Sequence, residues 1–348
     1  MKIAYLIAHT GQTGVNQVVV DLVVQMQGHG HECRVFYLEQ VEQEMDIPCE
    51  TVLLIDREQL KGFDVIHAHG LKPEIWIVKK IWGHKREYQN TKFVTTLHCY
   101  CFQDFCDLYG SFKGRLMGGL YLLVKRPFDK VVCLSKDMRH YYTKWLPKRK
   151  LTYAYNTRNI DTKLYSVSDD EQEMLSSFKG DGTLIGMNCV LIYRKGIDIM
   201  LKAMALLPES YKLIIMGEGK ERETFQKMAS NLGLEERVLF AGLQRDAFRF
   251  LPYYDIYAMP SRSEGFPLVL LEAAACGTKV VTSSLPVVKE CFSSDEVITF
   301  DMPDERLLAN AIIDANEKKN LGERLKQRYE IDYAPTAFYN RYIDIYGE

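Results

Sequence analysis

Short runs rich in Val, Ile, Leu and Tyr return along this chain with helical spacing between them, and this rhythm limits what it can fold into. The first half carries "KIAYLIA", "ECRVFYL", "DVIHAH", "FVTTLH", "KVVCLS" and "LTYAYN"; the second carries "TLIGMN", "YKLIIMGEG", "VLFAG", "DIYAMPS" and "KVVTSS". Strands alternating with helices build parallel sheets through right-handed βαβ crossovers. Two such sets predict two Rossmann-like, doubly wound α/β domains, with residues 1–165 in the first and 166–333 in the second. The polar stretch "DTKLYSVSDDEQEM" at 161–174 is the expected linker. A last helical pattern places Phe338, Tyr342 and Tyr346 on one face, so a helix at about 334–348 should dock, on the first domain. Ligands of doubly wound sheets sit outside the carboxyl ends of the strands, which makes the loops after each strand the segments to read.

Composition is that of an ordinary globular chain: 348 residues, 47% hydrophobic, 26% charged, net charge −2. The nine cysteines are scattered and several lie in strand-like or helix-like runs, a pattern of reduced thiols without disulfides. The opening "MKIAYLIAHT" runs into "GQTG" without a small-residue cleavage site, so it reads as a first strand rather than a signal peptide. The longest later apolar run, "LMGGLYLLV" at 116–124, is far short of the roughly 20 residues a membrane span needs. The expectation from these features is a cytoplasmic chain.

The segment "SRSEGFPLVLLEAAACGTKV" at 261–280 holds two glutamates, Glu264 and Glu272, within an apolar run. "DIYAMP" reads as a strand; Pro267 and Leu268 open a helix that Gly277 closes. Glu264 then lies in the strand-to-helix loop and Glu272 more than a turn inside the helix. Unpaired N–H groups near Gly265 and Phe266, backed by the helix dipole, suit an anion. A carboxylate in so apolar a helix needs donors, and two ribose hydroxyls would supply them; a neighbouring arginine or a helix cap would serve as well.

Other loops carry complementary features. Gly14 follows the first strand and opens a helix, where backbone can approach a diphosphate. Gly217 and Gly219 of "GEG" follow another strand and allow the same closeness. Lys195, just before Gly196, stands where a helix should begin and can neutralise a phosphate. His98 closes "FVTTLH" at a strand's carboxyl end, while His67 and His69 share one face of "VIHAH", with His69 nearer the loop. A metal reading of His98, Cys99, Cys101 and Cys106 matches no familiar zinc spacing, and alternation sends Cys99 and Cys101 away from His98.

The 261–280 stretch resembles the E-x7-E signature of retaining GT-B glycosyltransferases, family 4 in particular. "RKGIDIMLKAMALLP" (194–208) looks like that family's K-G-x-D segment. "KLIIMGEGKERETFQKMASNLGLEERVLFAGL" (212–243) looks like its glycine-rich strand end, helix and next strand, with Leu243 entering the loop that touches the base. "TGVNQVVVDLVVQMQGHGHECRVF" (13–36) is similar to its glycine loop and first helix, and "DVIHAHG", "VTTLH", "VVCLSKDMR" and "YNTRNID" follow in family order. The resemblance implies a GT-B fold, two Rossmann-like domains facing a cleft, and a nucleotide-diphosphate sugar as substrate with no cofactor and no metal. Its donor site would use Gly14, Arg194, Gly217, Gly219, Leu243, Gly265, Phe266, Pro267, Leu268 and Glu272. Catalysis would fall to His98, Glu264 and Lys195, with His69 and Asn16 on the acceptor side. Three departures stand out. Val190 occupies the place of an arginine that holds the diphosphate, leaving Arg194 to reach in instead. Asn16 replaces a common acidic residue, and "SSLPVVKE" lacks a glycine pair near Glu290.

The implied activity is retaining, metal-independent hexosyl transfer from a nucleotide-diphosphate sugar, UDP by first expectation, to a hydroxyl of a glycan acceptor in bacterial surface polysaccharide or lipopolysaccharide synthesis. The alternative is a non-catalytic GT-B subunit that binds nucleotide sugar beside a partner enzyme. An epimerase on the same scaffold is a third reading. Residues 108–150 concentrate Lys113, Arg115, Lys125, Arg126, Lys130, Lys136, Arg139, Lys144, Lys148, Arg149 and Lys150 against Asp129 and Asp137. That surface fits the anionic inner face of a membrane, and so a lipid-linked acceptor. Nucleic acid is not expected, since neither a stacking platform nor a recognised motif accompanies the charge.

Overall fold

A computed structural model describes residues 1–42, 44–160 and 166–347 and divides them between two compact units. The first, Met1–Thr157 together with the C-terminal segment from Ala334, contains β1 (Lys2–His9), α1 (Gly14–Gly28), β2 (Glu32–Glu39), β3 (Glu50–Leu53), β4 (Val65–His69), α2 (Leu71–Lys80), β5 (Lys92–Leu97), α3 (Cys101–Tyr109), α4 (Ser111–Lys125), β6 (Lys130–Cys133), α5 (Lys136–Tyr142) and β7 (Leu151–Tyr153). The second, Arg158–Tyr333, contains α6 (Asp169–Lys179), β8 (Thr183–Asn188), α7 (Ile197–Leu206), β9 (Tyr211–Met216), α8 (Arg222–Asn231), β10 (Val238–Gly242), β11 (Ile256–Met259), α9 (Leu268–Cys276), β12 (Lys279–Ser283), α10 (Pro286–Cys291), β13 (Ile298–Phe300), α11 (Glu305–Glu317) and α12 (Leu321–Arg328). Helix α13 (Pro335–Gly347) returns to the first unit.

Both sheets are parallel throughout. Their orders are β3-β2-β1-β4-β5-β6-β7 and β10-β9-β8-β11-β12-β13, so the α/β doubly wound expectation holds twice. In each sheet the order reverses beside its first strand, between β1 and β4 and between β8 and β11, and the reversal splays apart the crossovers that follow those strands. The strands absent from the sequence pattern, β3 and β13, are the outer strands of their sheets. An edge strand packs on fewer neighbours, and β3 is only half-buried along its length, so neither needs a conspicuous apolar run.

The second unit's core packs β8, β9 and β11 against α7, α8 and α11 through Ile185, Leu213, Ile215, Met200, Met204, Phe225 and Ile312. In the first unit, Phe338 and Tyr342 of α13 are fully buried and Tyr346 nearly so, and Tyr339 stacks on His29 at 3.6 Å. Of the expected linker, residues 161–165 lie outside the described residues. The remainder is not loop from Asp169 onward, because Ser168 and Glu171 form a capping box that starts α6.

The basic segment is corrected more substantially. Lys125 is not on the surface: it and Glu74 are both fully buried and ion-paired, Thr95 donates to the same carboxylate, and the ammonium lies 3.6 Å from the Tyr121 ring centroid. Burial pushes the Glu74 carboxyl up and the Lys125 ammonium down, both toward neutrality, against their mutual attraction. Lys150 donates to the carbonyls of Arg126 and Phe128, and Arg139 to that of Leu151. Removing one member of a buried pair strands the other, so Lys125→Met should lower unfolding free energy by about 3–5 kcal/mol. Urea denaturation of Lys125→Met and of Glu74→Leu/Lys125→Met should show the double variant losing less than the single one.

Candidate functional site

The switch point of the second sheet is built from two loops, one after β8 and one after β11. After β8 the chain makes a tight 3-10 turn at Tyr193–Lys195 and then a left-handed residue, Gly196, with φ 70°. A β-carbon at Gly196 would lie 1.8 Å from the Pro260 carbonyl oxygen, so the two loops meet backbone to backbone and only glycine fits. Arg262 fastens them further. Its backbone N–H donates to the Arg194 carbonyl at 2.8 Å, its guanidinium forks onto both oxygens of Asp198 at 2.8 Å, and it lies 3.7 Å from the Tyr193 ring centroid.

This clamp brings Lys195 and Glu264 together, 69 residues apart in sequence, with Nζ donating to Oε1 at 2.7 Å and both side chains largely shielded. The β11 and α9 boundaries follow the sequence reading closely. Pro267 sits at the N-cap of α9 with no side-chain cap, and Gly277 closes the helix in the left-handed conformation. The first N–H groups of such a helix lack intrahelical partners and face the loop that carries Glu264. The Phe266 ring is buried near Tyr333, so its side chain points away from that loop's surface.

Gly217 and Gly219 are close-approach glycines, but what approaches them is protein. A β-carbon at Gly217 would meet the Cys189 carbonyl oxygen at 1.9 Å, and one at Gly219 would meet Leu191 backbone at 2.4 Å. The Gly217 N–H also bonds the Gly242 carbonyl at 2.7 Å, setting this turn beside Leu243, which is exposed. Val190 is exposed in the loop after β8, where it offers no charge, and Arg194 lies in the 3-10 turn beyond it.

Glu272 is not solitary. Arg158 donates from Nε to its Oε1 at 2.8 Å with both side chains mostly buried, and Tyr329 donates to the Arg158 carbonyl. The arginine partner weighed from sequence is therefore present, more than a hundred residues upstream. Sequence reasoning missed Arg158, Arg262 and Asp198 as site-building residues. Asp198 belongs to the K-G-x-D segment; Arg158 in "YNTRNID" and Arg262 in "SRSEG" carry no local signal of the partners they reach.

In the first unit, the carboxyl edge gathers histidines. His67 is fully spent: Nδ1 is 2.8 Å from the Tyr346 hydroxyl and Nε2 2.8 Å from Thr96 Oγ1. His69 shares a 3.2 Å hydrogen bond from Nδ1 with His98 Nε2, while its own Nε2 is buried without a partner among the described residues. An orphaned buried polar atom at a strand end marks a functional-site candidate. Asn16 turns inward instead, donating to the carbonyls of His9 and Gly11 at 2.7 Å each, so it braces the loop before α1, which Gly14 begins and Thr13 caps. Its two amide protons are occupied by backbone carbonyls. Glu290 lies in α10. Among the described residues no three His, Cys, Asp or Glu gather as a metal site, and the nine cysteines are free thiols.

Loss of water holds all three histidines below their ordinary range, His98 down to about 3 with the nearby Lys125 charge as a second cause. They stay neutral when folded but protonate near 6.5 when unfolded. The stability they contribute is complete above that value and is lost as pH falls below it. Near pH ~5.5, unfolding of His98→Gln should take up about one proton fewer than unfolding of the unmodified chain. Calorimetric unfolding enthalpies in buffers of different ionisation heat check this; equal uptake would show His98 already charged in the fold.

Comparison with known proteins agrees with this architecture. Residues 169–330 match the model for "Glycosyl transferases group 1" and residues 12–162 that for "Glycosyltransferase Family 4". The O-antigen biosynthesis glycosyltransferase WclY of Escherichia coli is 30% identical over 100% of this chain and 98% of its own. The lipopolysaccharide core biosynthesis glycosyltransferase LpsE of Rhizobium meliloti is 31% identical over 45% of this chain and 51% of its own. Among solved structures, Anabaena Alr3699/HepE in complex with UDP and glucose superposes with a TM-score of 0.81 at 17% identity, over 100% of this chain and 99% of that one. WaaG, a glycosyltransferase involved in lipopolysaccharide biosynthesis, gives 0.73 at 17% identity, over 99% of each. Two doubly wound units, their loops in family order and full-length relatives at this level together establish that the chain belongs to the family 4, group 1 glycosyltransferases of GT-B fold.

Proposed function

We propose that this chain transfers a hexosyl group, with retention of configuration and without a metal, from a UDP-sugar to a hydroxyl of a lipid-linked glycan in bacterial surface polysaccharide synthesis. The carrying observation is the convergence of Lys195, Glu264 and the uncapped α9 start at one switch point, with Glu272 one turn deeper. The names of WclY and LpsE favour surface polysaccharide, and the UDP and glucose bound to Alr3699/HepE favour the donor. Peripheral attachment to the inner membrane face belongs to the same reading. Among the described residues no helix is long and apolar enough to cross a membrane.

In this reading Lys195 and the α9 amides neutralise the leaving diphosphate. Glu272 keeps its Arg158 bond on one oxygen and accepts ribose hydroxyls with its remaining lone pairs, since a carboxylate offers about four acceptor sites. Glu264 orients the donor sugar. The bond from the anomeric carbon to phosphate oxygen breaks as a bond to the acceptor oxygen forms on the same face, and the acceptor's proton passes to the departing phosphate. His98 and His69 serve the acceptor side, where the orphaned His69 Nε2 calls for a polar partner. The exposed Val190 favours one rival, a nucleotide-sugar-binding subunit that lacks turnover because leaving-group stabilisation is weak.

Calorimetry against uridine, guanosine and adenosine diphosphate sugars tests the donor, and UDP-sugar should bind tightest. Lys195→Ala should weaken that binding roughly 10- to 100-fold, the loss of one charge-assisted contact. Glu264→Gln should bind within a few-fold of the unmodified chain yet lose transfer. No binding by any donor, or unchanged binding by Lys195→Ala, would remove the site; binding without turnover across an acceptor screen would favour the subunit.

A further inference from the structure

Helix α4 is apolar on two opposite faces. Gly114, Gly118, Tyr121, Leu122 and Lys125 are buried against the protein. That face is packed to backbone contact: a β-carbon at Gly114 would lie 2.5 Å from the Cys106 backbone of α3, and one at Gly118 would lie 2.5 Å from the Phe102 ring. The helix therefore has no unmet packing on its inner side. On its outer side Phe112, Leu116, Leu120 and Leu123, spaced four, four and three, form a second stripe that is 88%, 60%, 49% and 50% exposed. Leu108 and Tyr109, at the end of α3 just before the turn into α4, are exposed as well, at 68% and 51%.

Contiguous exposed apolar surface of this kind marks an interaction face, and the charges around it select the partner. From Leu108 to Phe128 the chain has no Asp or Glu, while Lys113, Arg115 and Arg126 are exposed on α4 and at its C-terminal end. A second copy docking through the same stripe would bring like-charged rims together, whereas an anionic surface complements them. At 15 residues α4 is about 22 Å long, too short to span a bilayer but suited to lying flat within its headgroup region.

We propose that the Phe112–Leu116–Leu120–Leu123 stripe is a membrane-docking face, sunk among the headgroups of an anionic bilayer with Lys113, Arg115 and Arg126 on lipid phosphates. This narrows the contact from the whole basic segment, whose Lys125 is buried, to one helix face. It rests on the proposed function only for its purpose: α3 begins three residues beyond His98, so the docked hairpin holds the candidate acceptor edge at the surface where a lipid-linked glycan is displayed.

The full chain should co-sediment with phosphatidylglycerol–phosphatidylcholine vesicles and not with phosphatidylcholine alone, each cation strengthening binding roughly fivefold at low salt. Leu116→Glu/Leu120→Glu should weaken vesicle binding at least tenfold at any salt. Lys113→Glu/Arg115→Glu should weaken it at low salt only. Both variants should keep unmodified UDP-sugar binding, so loss of the donor site and loss of docking are read separately. Vesicle binding unchanged by Leu116→Glu/Leu120→Glu, or absent from the unmodified chain, overturns the proposal. Light scattering that shows a dimer broken by that variant without vesicle binding would reassign the stripe to self-association.

Discussion

The second unit's site depends on a contact with no side chain in it: the backbone of residue 196 against the carbonyl of Pro260. At 1.8 Å no β-carbon fits, so glycine is required by volume as well as by its positive φ. Because these loops follow β8 and β11, the adjacent strands where the sheet order reverses, their contact closes the floor of the switch point. Arg262 then adds a fork onto Asp198 and a backbone bond to Arg194. With the loops so fixed, Lys195 and Glu264 have little freedom to be apart.

Most of the scaffold was legible because parallel strands buried on both faces must be almost uniformly apolar, and such runs stand out between helices. The exceptions are informative. β3 and β13 pack on one neighbour each, and an outer strand needs only a few apolar residues. The start of α6 lay hidden in a polar stretch read as linker, since its signal is the Ser168–Glu171 capping box rather than hydrophobic spacing. Burial of Lys125 was out of reach of any local pattern. Its partner, Glu74, is 51 residues upstream, and a lysine inside a basic run looks like every other lysine until the fold closes over it.

The site residues divide in the same way. Local chemistry located Glu264, Glu272, Pro267 and Gly277, because strand end, loop and helix start each leave a residue-type signature. Partners did not follow: Arg158 reaches Glu272 across 114 positions, and His69 meets His98 across 29. Asn16 shows what a position alone leaves open. The family resemblance put it on the acceptor side, and its two amide protons are occupied in holding the carbonyls of its own loop. A motif fixes where a residue is along the chain, whereas its hydrogen bonds decide what it is available to do.

That distinction separates the two glutamates which the E-x7-E spacing presents as a pair. Glu264 is held by the flexible four-carbon stem of Lys195, a point charge that can swing between a carboxylate and a phosphate with little reorganisation. Glu272 is held by the planar guanidinium of Arg158, whose own side chain is only 6% exposed and whose carbonyl is tied to Tyr329. Breaking that pair would leave an uncompensated buried charge at a cost of about 3–5 kcal/mol. One carboxylate is thus mounted to exchange partners and the other to stay where it is. The roles proposed for the two, Glu264 orienting the donor sugar and Glu272 holding the ribose, call for these two mountings respectively.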